Sequence, residues 1–360
     1  MYGIDKSKLS KIFIEQIDLD KIKNNTNVSY TEATSESRKE IIETTTKEYI
    51  ELETLTVKDS FLFDILKLGF TKDNIPYCTL ELTIHDKTDN NLRPQSVSEF
   101  QNRLKRIKEY LQSIYGIYIS YEYAIFSSLE INITQKINYT FNEYYHILTL
   151  MQQLASKYYN NPKHNYTDTE GNISSLYLSN NSTEIKIYNK TKQLDNRYKI
   201  TVKDEYMRIE YKLKSSQRVA RAFGSNKLNE LTDEQIINFL HERIYNDLIK
   251  NLEKHIEYST KQLEKLFNKI HKENKHNFIK LFISEAHSEK INNSKSSSLD
   301  LLFDIEQIIN IVSNYDKKHK KRNTELIKKQ SNKVKFHNNF NKLEEIKLKF
   351  TNYKKEDDTQ

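Results

Sequence analysis

SLYLSNNSTEIKIYNK, Ser175 to Lys190, contains two runs of alternating apolar and polar residues, Leu176/Leu178 and Ile185/Ile187, around Asn180, Asn181 and Ser182. Period-two alternation marks a strand with one buried face, and a short Asn/Ser link between two such runs reads as a β-hairpin. Three further segments alternate in the same way: TLELTIHD (Thr79 to Asp86), SLEINIT (Ser128 to Thr134) and RIEYKL (Arg208 to Leu213). Between the first two lies SVSEFQNRLKRIKEYLQSIYG, which places Phe100, Leu104, Ile107, Leu111 and Ile114 on one helical face, with a capping box expected from Ser98 to Gln101 and Gly116 as the stop. A second amphipathic helix is expected after Thr140, where Glu143 completes another capping box and Tyr144, Leu148, Met151, Leu154 and Tyr158 recur with helical spacing. The order β, α, β, α, β, β, β predicts an α+β fold, a mainly antiparallel sheet with helices packed on one face.

Outward from this block the character changes twice. Residues 1 to 75 are polar and rich in Thr, Glu and Lys, with apolar anchors at Phe61, Phe63, Ile65 and Leu68, and read as an N-terminal extension of unknown role. After Leu231 a capping box at Thr232 and Gln235 opens a helix with Ile236, Leu240, Ile244, Leu248, Leu252 and Ile256 at intervals of four. A Ser-rich break at Ser294 to Ser298 precedes a further apolar helix through Leu301, Leu302, Ile305, Ile308, Ile309 and Val312. The expected division is therefore 1–75 as extension, 76–231 as an α+β domain and 232–360 as a helical C-terminal region with a basic tail.

Composition narrows the function classes. Five Gly and three Pro among 360 residues, with no phosphate-cradling glycine motif, disfavour a nucleotide-binding loop fold. The single cysteine, Cys78, excludes an internal disulfide and any multi-thiolate metal site, and its apolar surroundings suggest a buried, inert thiol. No apolar run approaches a membrane span and the amino terminus lacks a signal-peptide core, so the expected compartment is the cytoplasm. The net charge of +7 is local: between Asp316 and Lys355 there are fourteen Lys or Arg against four acids. A segment with Lys317, Lys318, Lys320, Lys321, Arg322, Lys328 and Lys329 favours polyanions by counterion release, and equally fits a solvated helix in a lysine-rich chain.

Writing out the phase of each strand separates two faces. Leu80, Leu82, Ile84, Leu129, Ile131, Ile133, Ile185, Ile187, Ile209, Tyr211 and Leu213 fall on the apolar side. The opposite side carries Glu81, Thr83 and His85; Glu130 and Asn132; Glu184, Lys186, Tyr188 and Lys190; and Arg208, Glu210 and Lys212. Converging carboxylates repel unless a hard divalent cation sits between them, and Mg²⁺ or Mn²⁺ takes such oxygen ligands. An ion of this kind can polarise a phosphodiester while Lys186 or Lys190 offsets charge on the phosphorane and assists a Tyr188 nucleophile, with Tyr177 and Tyr211 as nearby competitors. The same pattern also arises on any antiparallel sheet with a wet face, where opposite charges pair across strands.

SLYLSNNSTEIKIYNKTKQL, followed from Tyr206 by YMRIEYKLKSSQRVARAFGSNKLNELTDEQI, resembles plasmid and transposon rolling-circle replication initiation factors of the Rep_trans type, and more loosely the filamentous-phage gene II replication proteins. The matching features are a "YxG…RIYDK" hairpin, an "RIE" strand and an acidic residue on an earlier strand, here SSLEIN with Glu130; the likeness covers about residues 76 to 240. Two positions depart from it: the family's hairpin glycine is Ser179 or Asn180, and the aspartate of "YDK" is Asn189. No His-hydrophobe-His pair occurs, which disfavours the nickases that use one.

The resemblance implies an origin-nicking enzyme that joins DNA to Tyr188 through a 5′ phosphate and leaves a 3′ hydroxyl primer. It places Glu130 and Glu210 among the metal ligands, and Glu81 joins them from the strand pattern. Expected partners are origin DNA, single-stranded or cruciform, a host helicase and a second copy of the chain, with no membrane. Two other readings fit the residues: an initiator that binds and deforms its origin without cutting, and a helical protein-interaction module.

Overall fold

The computed structural model describes residues 1–59, 61–70, 75–83, 93–155, 157–161, 164–167, 173–274, 277–292, 304–331 and 339–351. The expected Ser-rich break, Leu301, Leu302, Ile84 and His85 lie outside these residues. Among them the strands are β1 (Tyr2–Ile17), β2 (Val28–Glu32), β3 (Glu40–Glu43), β4 (Tyr49–Lys58), β5 (Ile65–Phe70), β6 (Pro76–Thr83), β7 (Ile117–Ser120), β8 (Ile125–Lys136), β9 (His164–Thr167), β10 (Ile173–Ser179), β11 (Thr183–Asn189) and β12 (Tyr206–Leu213). The helices are α1 (Leu19–Lys23), α2 (Val97–Tyr110), α3 (Tyr145–Leu154), α4 (Lys190–Tyr198), α5 (Ser216–Phe223), α6 (Asp233–Ile244), α7 (Lys250–Glu273), α8 (Phe278–Asn292), α9 (Ile305–Tyr315), α10 (Lys320–Ser331) and α11 (Asn339–Phe350). The fold is α+β with an antiparallel sheet and a helical C-terminal region, as the residue patterns predict.

The chain divides into two compact units, one of residues 1–136 with 177–240, the other of 137–176 with 241–360. The order of strands is β2-β4-β5-β6-β1-β8-β12-β11-β10-β9, with β3 beside β4 and β7 beside β1. Residues 1–75, read from the sequence as an extension, thus supply five strands. β1 is central, antiparallel to β6 on one side and to β8 on the other. Its register slips against β8 at two places, between Ile4 and Lys6, where β1 carries an extra residue, and between Lys8 and Leu9, where the extra residue is Ser127 of β8.

One face of the first unit is apolar because the in-phase residues are: Leu9, Leu80, Leu82, Leu129, Ile131, Ile185, Ile209, Tyr211 and Leu213 are all at most 1% exposed. Phe100, Leu104 and Ile107 of α2 and Val219 of α5 are buried as well, and each such side chain contributes about 1.5–3 kcal/mol by leaving water. Cys78 is buried, as expected. The helix α2 starts two residues earlier than the expected cap: Ser96, not Ser98, accepts from the Glu99 backbone, and Glu99 bonds the Ser96 amide in return. The expected stop holds. Gly116 adopts φ +66°, and a Cβ there would stand 2.6 Å from Asp18.

In the second unit Thr140 and Glu143 bond as foreseen, and the main cluster is helical, formed by Phe267, Ile270, Phe282, Ile308, Val312 and Ile327. No helix among the described residues is long and apolar enough to cross a membrane.

Candidate metal and nuclease site

The hairpin forms as its sequence dictates. The Asn180 amide donates to the Thr183 carbonyl at 2.9 Å, and the Asn180 side chain accepts from the Ser182 and Thr183 amides. This turn fixes the phase of β11, so Glu184, Lys186 and Tyr188 lie opposite Lys212, Glu210 and Arg208 of β12. On its other edge β12 sets Arg208, Glu210 and Lys212 opposite Thr134, Asn132 and Glu130 of β8. Glu130 in turn is opposite Lys6 of β1. Three strands therefore bring Glu210, Glu130 and their neighbours onto one polar face.

The third acid comes from β1. Ile4 pairs with Ile131 and Lys6 with Glu130, leaving Asp5 as the extra residue of a β-bulge. The bulge turns Asp5 toward the polar face, where carboxylate oxygens of Asp5, Glu130 and Glu210 all lie within 4.8 Å of one another. Glu130 and Glu210 are 8% and 4% exposed, and Asp5 is half-buried.

Glu210 forms the centre of the arrangement. Its Oε1 accepts the Tyr188 phenol hydrogen at 2.5 Å, and its Oε2 lies 4.0 Å from Lys186 Nζ. Arg208, fully buried, donates from Nε to Thr134 Oγ1 at 2.7 Å and from Nη1 to Asp5 Oδ1 at 3.3 Å. Burial, then the nearby Asp5 and Glu130 charges, push the Glu210 carboxyl up to about 7. Burial also raises Glu130, partly offset by Lys186. Tyr188 is driven well above the ordinary phenol value, chiefly by burial, although Arg208 pulls the other way. Burial opposes the charge on Lys186, yet Glu130 and Glu210 overcome it and raise its pKa.

Three hard oxygen donors that repel one another when ionised fit a hard divalent ion such as Mg²⁺ or Mn²⁺. The Nδ2 of Asn132, fully buried between Glu210 and β1, has no hydrogen-bond partner among the described residues, and a water or phosphate oxygen at the acids would supply one.

The expected site residues separate into two groups. Glu130, Glu210, Lys186 and Tyr188 converge. Glu81 does not join the acids: it sits one strand beyond β1 and pairs with Lys8 at 2.8 Å. Lys190 is not a wet-face strand residue either. The chain turns at Asn189, whose side chain caps the Lys192 amide, and Lys190 opens α4, which packs along β12. Lys190 Nζ is buried, donating to Gln193 Oε1 at 2.8 Å, and burial followed by Arg208 lowers it to about 7. Tyr188 keeps its expected side of the sheet but is only 7% exposed. Lys317, Lys318, Lys320, Lys321, Arg322, Lys328 and Lys329 lie on a short 3₁₀ turn and on α10, all exposed.

Asp5 and the bridging role of Arg208 were not read from the sequence. Arg208 was visible on the polar face, but a fully buried guanidinium cannot be told from a solvated one by phase alone. Asp5 lies in a strand whose alternation is interrupted at Asp5 itself and again between Leu9 and Ile12.

No family model matches the chain, and no curated protein matches it. Four chains of solved structures do match. One is described as "Structure of Rolling Circle Replication Initiator Protein from Geobacillus stearothermophilus", with a TM-score of 0.34 and 10% sequence identity, over 68% of this chain and 84% of that one.

Proposed function

We propose that the protein is a replication initiator that nicks single-stranded DNA with Tyr188 at a divalent-metal site formed by Asp5, Glu130 and Glu210. The observation that carries this reading is the 2.5 Å hydrogen bond from Tyr188 to Glu210, a member of the acid triad. A nucleophile and its proton acceptor in contact beside a metal-competent cluster are the parts a transesterification needs. The sequence resemblance to rolling-circle initiation factors points the same way.

When bound, Mg²⁺ or Mn²⁺ supplies Lewis-acid polarisation of the phosphodiester. The chain's own residues do the rest. Glu210 Oε1 holds the phenol hydrogen as Tyr188 Oη bonds to phosphorus. The bond from phosphorus to the 3′ oxygen breaks, and that oxygen takes up the proton released by Tyr188 to Glu210 and leaves as a 3′ hydroxyl. The 5′ phosphate stays on Tyr188 as a diester, so a return attack by a 3′ hydroxyl rejoins the strand. Lys186, 4.0 Å from Glu210 Oε2, offsets negative charge at the reacting phosphate. The exposed cations from Lys317 to Lys329 add sequence-independent phosphate contacts.

The test is incubation with a labelled random-sequence pool of single-stranded oligonucleotides and Mg²⁺ or Mn²⁺. Wild type is expected to give a covalent adduct resistant to denaturing electrophoresis, and Tyr188→Phe none. An adduct of undiminished yield in Tyr188→Phe overturns the assignment.

The burial of Tyr188 favours a second reading, an origin-binding initiator that does not cut. It predicts sequence-selective, salt-sensitive binding with no adduct under any metal.

A further inference from the structure

The acid triad is bordered by ammonium groups that its own ion pairs do not consume. Glu130 stands directly between Lys212 of β12 and Lys6 of β1 in the strand register. Lys212 approaches Glu130 only to 3.9 Å and is 39% exposed. No hydrogen bond or ion pair is found for Lys6 among the described residues. Lys8 follows two positions along β1 with no bulge between, and it faces Glu81. Farther out, Lys67 of β5 is exposed, opposite Thr79 of β6 and Thr56 of β4. On β5 and β6 themselves, among the described residues, Glu81 is the only acid, and Lys8 neutralises it.

We infer that this polar face is a single-stranded DNA track, with consecutive phosphates carried from the acid triad outward over Lys212, Lys6 and Lys67. The inference rests on the reading that DNA is the substrate, and it adds where the strand lies. From β12 to β5 is four strand steps, about 19 Å at 4.7–4.9 Å per step, the reach of several nucleotides. The sign of the charge is right for a polyanion. Thr79, opposite Lys67 on β6, supplies an uncharged hydrogen-bonding group. The track lies wholly within the first unit and is distinct from the basic residues of α10.

The experiment measures binding of a fluorescent oligothymidylate to the full chain by anisotropy over a salt series, with EDTA present so that no cleavage intervenes. Lys6→Glu/Lys67→Glu is expected to weaken binding at least about tenfold. The charge-removing Lys6→Gln/Lys67→Gln is expected to lower the slope of log K against log salt by about 1.4, the loss of two phosphate contacts on a single strand. Lys6→Arg/Lys67→Arg should bind as wild type. Thermal melts of the Gln and Arg pairs are expected to match wild type, which shows that the fold is kept where the charge is only removed or conserved.

Wild-type affinity and slope in both the Glu and Gln pairs overturn the track, as does loss of binding only when Lys320 and Lys321 are changed. Loss of binding in the sheet variants, together with no Tyr188 adduct in wild type, would keep the track and reject the cutting.

Discussion

Asp5 and Glu210, near the start of the chain and beyond its midpoint, bring carboxylate oxygens within 4.8 Å of each other because a one-residue bulge in β1 turns Asp5 toward the face on which β12 carries Glu210. If the triad is the metal site, all three acids must matter and Glu81 must not. Asp5→Asn, Glu130→Gln and Glu210→Gln are each expected to weaken Mn²⁺ binding, measured by titration calorimetry, by at least about tenfold, since even outer partners of a metal site cost that much. Glu81→Gln is expected to leave it unchanged and to cost stability about 0–1 kcal/mol, the range for an exposed ion pair. A Glu81 effect as large as that of Asp5 would move the site one strand outward.

The metal-free protein is expected to be least stable near pH 7. The Glu210 carboxyl is raised from 4.5 to about 7 by burial and by Asp5 and Glu130. Between those values the folded chain holds a proton that the unfolded chain has lost, so stability falls as pH rises through this window. Glu40, raised to about 7 by burial, acts with the same sign. Lys190 does the reverse. Lowered from 10.5 to about 7, it is neutral in the fold while charged in the unfolded chain, so stability rises from pH 7 upward. Thermal melts in EDTA on both sides of pH 7 check this. Glu210→Gln should flatten the acid limb and Lys190→Met the alkaline one, and a maximum near pH 7 would contradict both assignments.

Gly3 stands two residues before Asp5, where β1 runs against Gln95. It adopts φ +154°, and a Cβ there would stand 2.2 Å from the Gln95 carbonyl oxygen, beside the paired backbone hydrogen bonds that join Ile4 to Gln95. Gly3→Ala therefore forces β1 away from Gln95 just before the bulge. It is expected to lower stability by about 1–3 kcal/mol and to weaken Mn²⁺ binding with it. Chemical denaturation and the same calorimetric titration read both effects. Full metal affinity in Gly3→Ala would show that the bulge holds its place without this contact.

The parts of the fold that are legible in the sequence are those whose signal is local. Leu129, Ile131, Ile185, Ile187, Ile209 and Leu213 alternate without a break, so their phase, and hence the side on which Glu130, Lys186 and Glu210 lie, follows from period two alone. In YGIDKSKLSKIFIEQI the alternation is interrupted by an extra residue at Asp5 relative to β8 and by another between Leu9 and Ile12 relative to β6, and lysines and serines take positions that a regular strand would fill with apolar groups. Ser7, 1% exposed, occupies one of those positions. Central placement of β1 depends on long-range pairing with β6 and β8, which no local pattern encodes. Lys190 misled for a related reason: EIKIYNK keeps its alternation one residue past the point where Asn189 caps a helix and ends the strand.

In the second unit, one carboxylate organises two helix starts, and its loss should be felt as stability alone. Asp304, fully buried, accepts from the Glu306 amide at 2.8 Å through Oδ1, which caps α9. Through Oδ2 it accepts from the Asn339 and Phe340 amides at 2.5 and 3.1 Å, at the first residues of α11. Burial raises its carboxyl, while the three amides hold it down. Asp304→Ala removes an N-cap and leaves those amides buried without an acceptor, which is expected to cost about 2–4 kcal/mol, the sum of a lost cap and of unsatisfied donors. Asp304→Asn keeps an acceptor oxygen but not the charge, and should cost less than half as much. Denaturant titrations of the two variants check the ranking, and equal losses would mean that the negative charge, rather than the acceptor geometry, holds the two helices.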